Sequence, residues 1–542
     1  MDNPRYPETD SEQLELDSPR LSWPQRVAVS PYGMIAAQHY LAAEAGREML
    51  EQGGNAMDAA VAAALALSVC EPAASGLGGQ TMMLVHIART RKTVALDGSS
   101  RAPHRVVPGS LTQKDYRCGY KAATVPSTPR VLAYALERYG TLSWQQVLQP
   151  AIRLAEEGVR VTSLQRQLAQ KVLKRLWAGT ASVVFLKDGY RTYRVGELMR
   201  QPVLAATLRR LAEHGVEDFY TGEVAEQIHR DMEAHDGLIR RDDLAQVQPP
   251  IERRPVTCWF EDMRLMTFPP PGAGRTLIEM LNMLSCFPKK HRSPDSPKGA
   301  VLLSHVMRQA YRDRRDRPYD PTFYAQVSDR RMTSPDYARR IAHRIRTHGD
   351  TSHLSVMDRF GNAVALTQSV ERVYGACVAT PELGFLYNNY LMAFEHHDIS
   401  HPYYLRPNAV PWAGVAPTIV FRGRKPWLVI GSPGSERITA SILQVLLRLS
   451  KRSPFEAVDA PRLYCNLDGR VSLEATRMRT DIPAALKEAG FTIDVRDPYS
   501  FYLGSVQLVI RDGDLFIGVA DPRRDGSADG PTASRKRLQL ST

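Results

Sequence analysis

The residues best suited to chemistry lie in the run Asp350-Thr351-Ser352-His353, which opens the hairpin-like stretch 349–369, GDTSHLSVMDRFGNAVALTQS. Two runs of alternating apolar residues flank a Gly-containing turn, a pattern that predicts two antiparallel strands. With Arg359-Phe360-Gly361 as a three-residue loop, Thr351 lies opposite Ser369. Directly opposed residues have Cβ atoms about 4.5–5.5 Å apart. The pattern therefore predicts two hydroxyl groups that face each other at the open end of the hairpin.

A threonine hydroxyl at this place is a weak nucleophile until a base removes its proton. A free α-amine, with a pKa of about 8, can be that base when threonine is the first residue of a chain. Attack of the Thr351 hydroxyl on the preceding carbonyl would form an ester at Asp350, and hydrolysis would then expose the amine. Ser369 could orient Thr351 by hydrogen bonding. From spacing alone, the alternative is that both are ordinary strand residues.

The bulk composition limits the class of protein. A chain of 542 residues, 43% hydrophobic, can form one large domain or two to three ordinary ones. The net charge of +12 is spread over mixed-sign stretches, so we expect no nucleic-acid partner. Six scattered cysteines without a C-x-x-C pair predict reduced thiols. No secretory signal or long apolar run is visible, so we expect a cytoplasmic protein that does not enter a membrane.

The elements that must position the hairpin follow from residue periodicity. Two helices broken at Gly53-Gly54 are predicted within 42–72, and helical periodicity dominates 128–240. Strand signals dominate after the hairpin, as in 417–434, with one helix predicted over 436–450. Helices in the first half and strands with helices in the second indicate an α+β fold whose sheets are covered by helices.

The chain resembles the γ-glutamyltranspeptidase family of self-cleaving N-terminal-nucleophile hydrolases. The matching passages run in order from about residue 30 to 525. They include EQGGNAMDAAVAAALALSVCEPAASGLGG (51–79), FPPPGAGRTLIEMLNML (268–284), TSHLSVMDRFGNAVALTQS (351–369), GSPGSER (431–437) and GVADPR (518–523). The resemblance implies a four-layer αββα sandwich that is built from two fragments of one precursor.

The same resemblance implies a division of the chain at one cleavage point. Residues 29–350 would form the large-subunit part of the sandwich and residues 351–525 the small-subunit part. The polar segment 1–28 is predicted to be a disordered arm, and 526–542 a flexible tail. Cleavage between Asp350 and Thr351 would leave a second fragment of 542 − 350 = 192 residues.

The catalytic roles are likewise implied by the resemblance. Thr351 matches the family's nucleophile, and Ser369 matches the hydroxyl residue that orients it. The GSPGSER stretch matches the loop whose backbone N–H groups form the oxyanion hole, which places Gly434 and Ser435 there. The family has a second glycine where this chain has Ser435. Because every residue except proline supplies a backbone N–H, the donor is retained. No cofactor is implied.

The positions that hold a γ-glutamyl group in glutathione-cleaving members differ in this chain. The arginine that pairs with the α-carboxylate is replaced by Ser99, and the aspartate that holds the α-amine is replaced by Ala393. The candidate substrate-binding residues at the matching positions or near them are Ser99, Arg101, Glu371, Tyr390, Ala413 and Gly414. A buried charge without its partner costs several kcal/mol, so we expect glutathione to bind poorly. The GSSRAP stretch resembles the branch that includes oxamate amidohydrolase.

These observations favour a self-processing amidohydrolase or acyltransferase that acts on a small-molecule amide. One alternative is a true γ-glutamyl enzyme whose clamp is rebuilt from Arg101 and Glu371. Another is an uncut, inactive scaffold that binds a partner. The EHHDISH stretch (395–401) lacks the histidine spacing of a helical metal site, so we expect no metal there. His353 is expected to be structural, because the α-amine is the base in such enzymes.

Overall fold

The computed structural model describes residues 25–316 and 352–532. Its centre consists of two seven-stranded antiparallel sheets. Sheet I contains, in spatial order, β19 (Ser527–Asp529), β2 (Gly33–Ala37), β10 (Ser352–Asp358), β11 (Ala363–Ser369), β3 (Gln80–Ile87), β4 (Lys92–Gly98) and β7 (Ile251–Arg253). Sheet II contains β1 (Val27–Ser30), β18 (Leu515–Ala520), β17 (Gln507–Asp512), β13 (Lys425–Gly431), β12 (Thr418–Arg422), β9 (Met263–Thr267) and β8 (Val256–Phe260).

Two smaller sheets and the helices complete the described chain. The smaller sheets are β14 (Leu463–Cys465), β15 (Arg470–Leu473) and β16 (Thr492–Val495), and β5 (Val159–Arg160) with β6 (Leu198–Met199). The helices before the hairpin are α1 (Tyr40–Glu51), α2 (Ala56–Cys70), α3 (Thr128–Tyr139), α4 (Trp144–Glu157), α5 (Ser163–Trp177), α6 (Ala181–Phe185), α7 (Pro202–His214), α8 (Glu217–Tyr220), α9 (Glu223–Ala234), α10 (Arg241–Ala245), α11 (Gly274–Ser285) and α12 (Pro297–Asp316). Those after it are α13 (Arg437–Arg448), α14 (Pro454–Asp459) and α15 (Asp481–Glu488).

The layers follow from which face each side chain occupies. The inner faces of the two sheets meet in a core that includes Met34, Met357 and Phe421. The outer face of sheet I packs against α1, α2 and α3, with α4 lying on α2, and the outer face of sheet II packs against α11 and α13, with α12 lying on α11. The order is therefore helix, sheet, sheet, helix, which confirms the predicted αββα sandwich. No helix within the described ranges has the length and apolar character needed to span a membrane.

Helix α2 shows why the Ala-rich stretch is buried. All of its residues are buried, and its apolar character extends around the whole helix. Asn55 and Asp58 form a capping box that satisfies the first free backbone N–H groups. Asp58 also accepts hydrogen bonds from the backbone N–H groups of Thr141 and Leu142, which lead into α4. Small side chains let this helix lie close to sheet I and to the outer helices at once.

Two short strands lie in segments that were predicted to be unstructured. Strand β1 begins at Val27, within the predicted arm 1–28, and pairs with β18. Strand β19 (Ser527–Asp529) lies in the predicted tail 526–542 and pairs with β2. Both strands are short and are stabilised by a neighbour that lies far away in the sequence. Local periodicity therefore gives almost no signal for them.

Candidate active site

The hairpin has the register that the turn predicts. Ser352 pairs with Gln368 and His353 with Thr367. At the turn, Asp358 N–H donates to the carbonyl of Asn362 (3.1 Å), and Gly361 has φ of +91°, as the left-handed loop position requires. The predicted cleavage point after Asp350 and the predicted nucleophile Thr351 lie outside the described residues. The pairing of Thr351 with Ser369 therefore stays a prediction.

One end of the sandwich, called the site end here, is where the hairpin opens. In sheet I, β10 begins at Ser352 and β11 ends at Ser369 at this end. In sheet II, β13 ends at Gly431, which pairs with Gln507 at the start of β17. The Ser355 hydroxyl donates to the carbonyl of Gln507 (3.1 Å) and so joins the two sheets beneath the site end.

His353 lies between the two sheets as a buried, neutral residue. Its Nδ1 is 2.9 Å from Thr367 Oγ1, and its Nε2 is 3.1 Å from Ser355 Oγ. Burial lowers the pKa of the imidazole to about 3. A Cβ atom at Gly431 would lie 2.2 Å from the ring, so glycine is required there. This environment supports a packing role for His353 rather than one in proton transfer.

The first described residue of the hairpin is fixed by a buried carboxylate. Ser352 Oγ donates to Glu71 Oε2 (3.0 Å). Glu71 Oε1 is 3.6 Å from Nη1 of Arg524, whose side chain is 1% exposed and stacks on Phe501. The start of β10 is thereby tied to the end of α2 and to the loop after β18. The sequence analysis gave neither Glu71 nor Arg524 a role.

Ser369 lies in a dense polar cluster. Its hydroxyl accepts a hydrogen bond from the N–H of Glu371 (2.8 Å). The Tyr390 hydroxyl lies beside the side chains of Ser369 and Gln80, and burial raises the pKa of Tyr390 above its usual value. Three of the predicted site residues, Ser369, Glu371 and Tyr390, are therefore brought together. Glu371 has φ of +76°, an uncommon backbone conformation for a residue with a side chain.

The polar cluster continues away from Ser369 through residues that the sequence analysis missed. Gln80 Oε1 accepts from the backbone N–H (2.8 Å) and hydroxyl (3.0 Å) of Ser100. The Ser100 hydroxyl in turn lies 2.7 Å from Thr124 Oγ1, which is also 2.8 Å from Asn388 Oδ1. All of these residues are buried. The network holds Tyr390, which follows Asn388 closely in the chain, against the end of β11.

The predicted oxyanion loop lies at the end of β13, directly before α13. Gly434 has φ of +113° and Ser435 has φ of +50°. Within residues 25–316 and 352–532, neither of their backbone N–H groups donates a hydrogen bond. Ser432 Oγ accepts from the N–H of Ser505 (3.1 Å) and so fixes the loop to the segment before β17. Two free donors at a helix N-terminus are suited to bind a negatively charged oxygen.

Ala413 and Gly414 belong to the oxyanion side of the site. A Cβ atom at Gly414 would lie 2.4 Å from the carbonyl oxygen of Ser435, so glycine permits this close approach. The Ala413 carbonyl accepts from Arg314 Nη2 (2.7 Å), and the Arg314 guanidinium stacks on Trp412. A cavity of about 260 Å³ lies beside this segment. Its walls include Trp412, Arg314, Tyr403, Phe394, Ala393 and Glu436.

Ser99 and Arg101 line a different cavity, of about 370 Å³. Ser99 Oγ donates to Asp97 Oδ1 (2.5 Å), and Arg101 Nη1 donates to the carbonyl of Asn408 (3.0 Å). Among the described residues, the lining of this cavity does not include Ser369, Glu371 or the oxyanion loop. The structure therefore does not bring Arg101 together with Glu371. Ser100, rather than Ser99, points toward the Ser369 cluster.

The histidine-rich stretch 395–401 forms loop contacts. His396 Nε2 is 3.0 Å from the carbonyl of Leu391, and its ring stacks on Tyr116. The Asp398 carboxylate accepts from the hydroxyl and N–H of Ser400. In the two described ranges, no group of three or more His, Cys, Asp or Glu side chains is arranged to hold a metal ion.

Comparison with known proteins agrees with this geometry. The family model described as gamma-glutamyltranspeptidase matches residues 42–530. The chain belongs to the γ-glutamyltranspeptidase family. It is 30% identical to the glutathione hydrolase proenzyme of Bacillus subtilis, over 94% of each chain. It is 31% identical to an acylase ACY 1 proenzyme of a Pseudomonas species, over 81% of this chain and 84% of the relative.

A solved structure extends the comparison to the fold. The crystal structure of a cephalosporin acylase from Bacillus halodurans superposes with a TM-score of 0.86 at 30% identity, over 96% of this chain and 100% of that one. The γ-glutamyltranspeptidase-family chain is therefore an enzyme with the N-terminal-nucleophile hydrolase fold. Its relatives include both glutathione hydrolases and acylases, so membership alone does not choose between these substrates.

Proposed function

We propose that this chain is a self-processing amidohydrolase or acyltransferase whose nucleophile is Thr351. The observation that carries the proposal is the register of the hairpin: Ser352 pairs with Gln368, and one further step pairs Thr351 with Ser369. Support comes from the backbone amides of Gly434 and Ser435 at the same end of the sandwich, which donate to no acceptor in the described parts of the chain. Relatives that are named proenzymes also support processing of a precursor.

In the proposed reaction, cleavage after Asp350 frees the α-amine of Thr351. The amine accepts the hydroxyl proton while the Thr351 oxygen attacks an amide carbonyl. The negatively charged oxygen is stabilised by the N–H groups of Gly434 and Ser435 and by the N-terminal end of the α13 dipole. The protonated amine then donates its proton to the leaving nitrogen. Water or an acceptor amine releases the acyl group from the Thr351 ester.

The proposed substrate is a small-molecule amide other than glutathione. The apolar or small residues Ala393, Ala413 and Gly414 offer no side-chain partner for a zwitterionic amino acid group. Nearby, the walls of the 260 Å³ cavity combine the aromatic rings of Trp412 and Tyr403 with the charged groups of Arg314 and Glu436. Such walls suit an acyl group with an apolar body and a polar end. Cytoplasmic localisation stays a prediction.

Electrophoresis of the purified protein tests self-processing. We expect the wild-type chain to separate into two fragments under denaturing conditions, the second of 192 residues. The Thr351→Ala variant should remain a single chain, because it lacks the attacking hydroxyl. A Thr90→Ala variant, which removes an exposed threonine hydroxyl in the turn after β3, is the matched control and should still be cleaved. If the wild-type protein stays whole, the proposal is wrong.

A second candidate function is hydrolysis of γ-glutamyl amides, which the 30% identity to a glutathione hydrolase proenzyme favours. It would need a clamp that includes Arg101, yet this side chain lies in the separate 370 Å³ cavity. Release of a chromophore from a γ-glutamyl anilide distinguishes the two. Turnover that is lost in Arg101→Ala would support the second candidate. Absence of turnover by a fully cleaved enzyme would exclude it.

A further inference from the structure

Two cysteines from opposite sides of the proposed cleavage point meet beside the active site. The Cys118 thiol donates to the carbonyl of Ala376 (3.2 Å), and the N–H of Gly119 donates to the same carbonyl (2.8 Å). Ala376 directly precedes Cys377, whose buried side chain belongs to the apolar cluster against which Cys118 packs. Two bonds to the Ala376 carbonyl thus hold the two cysteines side by side.

The two thiols differ in exposure and charge. Cys118 is half-buried, whereas Cys377 is completely buried. The hydrogen bond from Cys377 and the positive charges of Arg175 and Lys114 lower the pKa of Cys118 to about 7. The same contact and burial raise the pKa of Cys377. Cys118 is therefore the thiol that reacts with a soluble reagent, and Cys377 is placed to react with it next.

We propose that Cys118 and Cys377 form a redox-sensitive disulfide that covalently joins the two fragments of the processed enzyme. The oxidant is a low-molecular-weight disulfide. The Cys118 thiolate attacks one sulfur of the reagent, forms a mixed disulfide and expels one thiolate. Cys377 then loses its proton, attacks the Cys118 sulfur and expels the second thiolate. One reagent disulfide and two protein thiols thus yield one protein disulfide and two small thiols.

The position of the pair gives the bond a consequence for the active site. The carbonyl of Arg117, next to Cys118, accepts from Asn389 Nδ2 (3.0 Å). Asn389 directly precedes Tyr390, whose hydroxyl lies beside Ser369. The disulfide would therefore fix the segment that carries Tyr390 to the large fragment. Reduction would leave that attachment to hydrogen bonds and apolar packing, with no covalent link.

The thiol chemistry can be tested without relying on cleavage. The full-length Thr351→Ala chain is reduced, desalted and treated with 2-hydroxyethyl disulfide, and its peptides are mapped by mass spectrometry without reduction. We expect a Cys118–Cys377 linked peptide. In Cys377→Ala, we expect the reaction to stop at a mixed disulfide on Cys118. In Cys286→Ser, which removes the exposed cysteine elsewhere, the linked peptide should form as before.

The link between fragments is read on the processed wild-type enzyme, and this readout alone depends on the proposed self-cleavage. After oxidation, one band of full-chain size is expected on a non-reducing denaturing gel, and two bands after reduction. Cys118→Ser should give two bands under both conditions. A Cys118 that remains a mixed disulfide in chains that retain Cys377 would overturn the proposal. So would unmodified Cys118 when Cys286 has reacted completely.

Discussion

The two sides of the candidate active site are built from different kinds of groups. On the side of sheet I, buried side chains define the site: Tyr390 lies beside Ser369 and Gln80, and Gln80 accepts from Ser100. On the side of sheet II, the loop at Gly434 and Ser435 offers backbone amides, with both residues at positive φ. The first side depends on residue identity, whereas the second depends mainly on backbone shape.

This difference explains which sequence changes the site tolerates. Replacement of a hydroxyl residue in a buried network leaves partners unsatisfied, at a cost of about 1–3 kcal/mol. Ser435 stands where the family has a second glycine. This serine retains the backbone N–H, and its positive φ costs about 1–2 kcal/mol in backbone strain. The differences from glutathione-cleaving members at Ala413 and Gly414 lie on the side of sheet II, where backbone amides define the site. This side can therefore change its substrate contacts without loss of the oxyanion donors.

The largest effect is expected where the two sides meet. In Gly431→Ala, the new Cβ would lie 2.2 Å from the His353 ring and would push the hairpin away from the oxyanion loop. We expect a loss of about 3 kcal/mol in the free energy of unfolding and incomplete self-cleavage. Gly76→Ala is the control, because a Cβ there meets no atom within 4 Å. A Gly431→Ala protein with normal stability and cleavage would contradict the proposed contact.

The role of the backbone amides on the side of sheet II is tested by removing one N–H group. Ser435→Pro removes the proposed donor, and the fixed φ of proline does not match the observed +50°. We expect kcat to fall about 10²–10³-fold, as for other oxyanion-hole donors. Ser435→Ala retains the N–H and should keep kcat within about threefold. Equal losses of kcat in the two variants would show that the Ser435 side chain, not its amide, is required.

The role of the buried side chains on the side of sheet I is tested at Ser369. Ser369→Ala removes the acceptor of the Glu371 N–H and the partner of Tyr390. We expect kcat to fall about 100-fold, near the lower end of the loss for Ser435→Pro, and the free energy of unfolding to fall by about 1 kcal/mol. Chemical denaturation and steady-state kinetics measure the two effects. Ser369→Thr, which retains a hydroxyl, should recover part of the activity. If Ser369→Ala is fully active, Ser369 has no role in orienting the nucleophile.

The smallest effect is a pH dependence that comes from His353. Its pKa is about 3 in the folded protein and about 6.5 when unfolded, so the unfolded state binds the extra proton between these values. The free energy of unfolding therefore falls as the pH falls through this window, by up to about 1.4 kcal/mol per pH unit.

The His353→Gln variant should lack this contribution. Its slope of unfolding free energy against pH should be smaller by about 1.4 kcal/mol per unit between pH 5.5 and 4. Urea titrations of uncut Thr351→Ala chains, with and without His353→Gln, measure the difference in slope. Identical slopes would mean that His353 is protonated in the folded protein, in contradiction to its burial between the sheets.

The sequence predicts the hairpin register well because the register is set locally. Gly361 and the Asp358–Asn362 pair fix the turn, and strand alternation fixes every partner that follows. The position of the Gly434–Ser435 loop before a helix was also predictable, because its GSPGSER stretch is contiguous, and its oxyanion role stays a prediction. The αββα sandwich followed from the family resemblance rather than from periodicity.

The parts that were missed depend on contacts between distant residues. Glu71 lies 281 residues before its partner Ser352, and no local pattern connects them. Strand β19 is defined by its pairing with β2 and has no periodicity of its own. Ser99 was chosen instead of Ser100 because the motif alignment ignores which of two adjacent side chains faces inward. Only the three-dimensional arrangement shows that Ser100 joins the Ser369 cluster.

The central claim is that a freed Thr351 forms a covalent intermediate with the acyl part of an amide. The most direct test incubates the processed enzyme with a panel of amides, stops the reaction with acid and measures the intact mass of the 192-residue fragment. We predict a fragment that begins with an unblocked Thr351 and gains the mass of one acyl group at that residue. A fragment that begins elsewhere, or an acyl group on another residue while the amide is turned over, would contradict it.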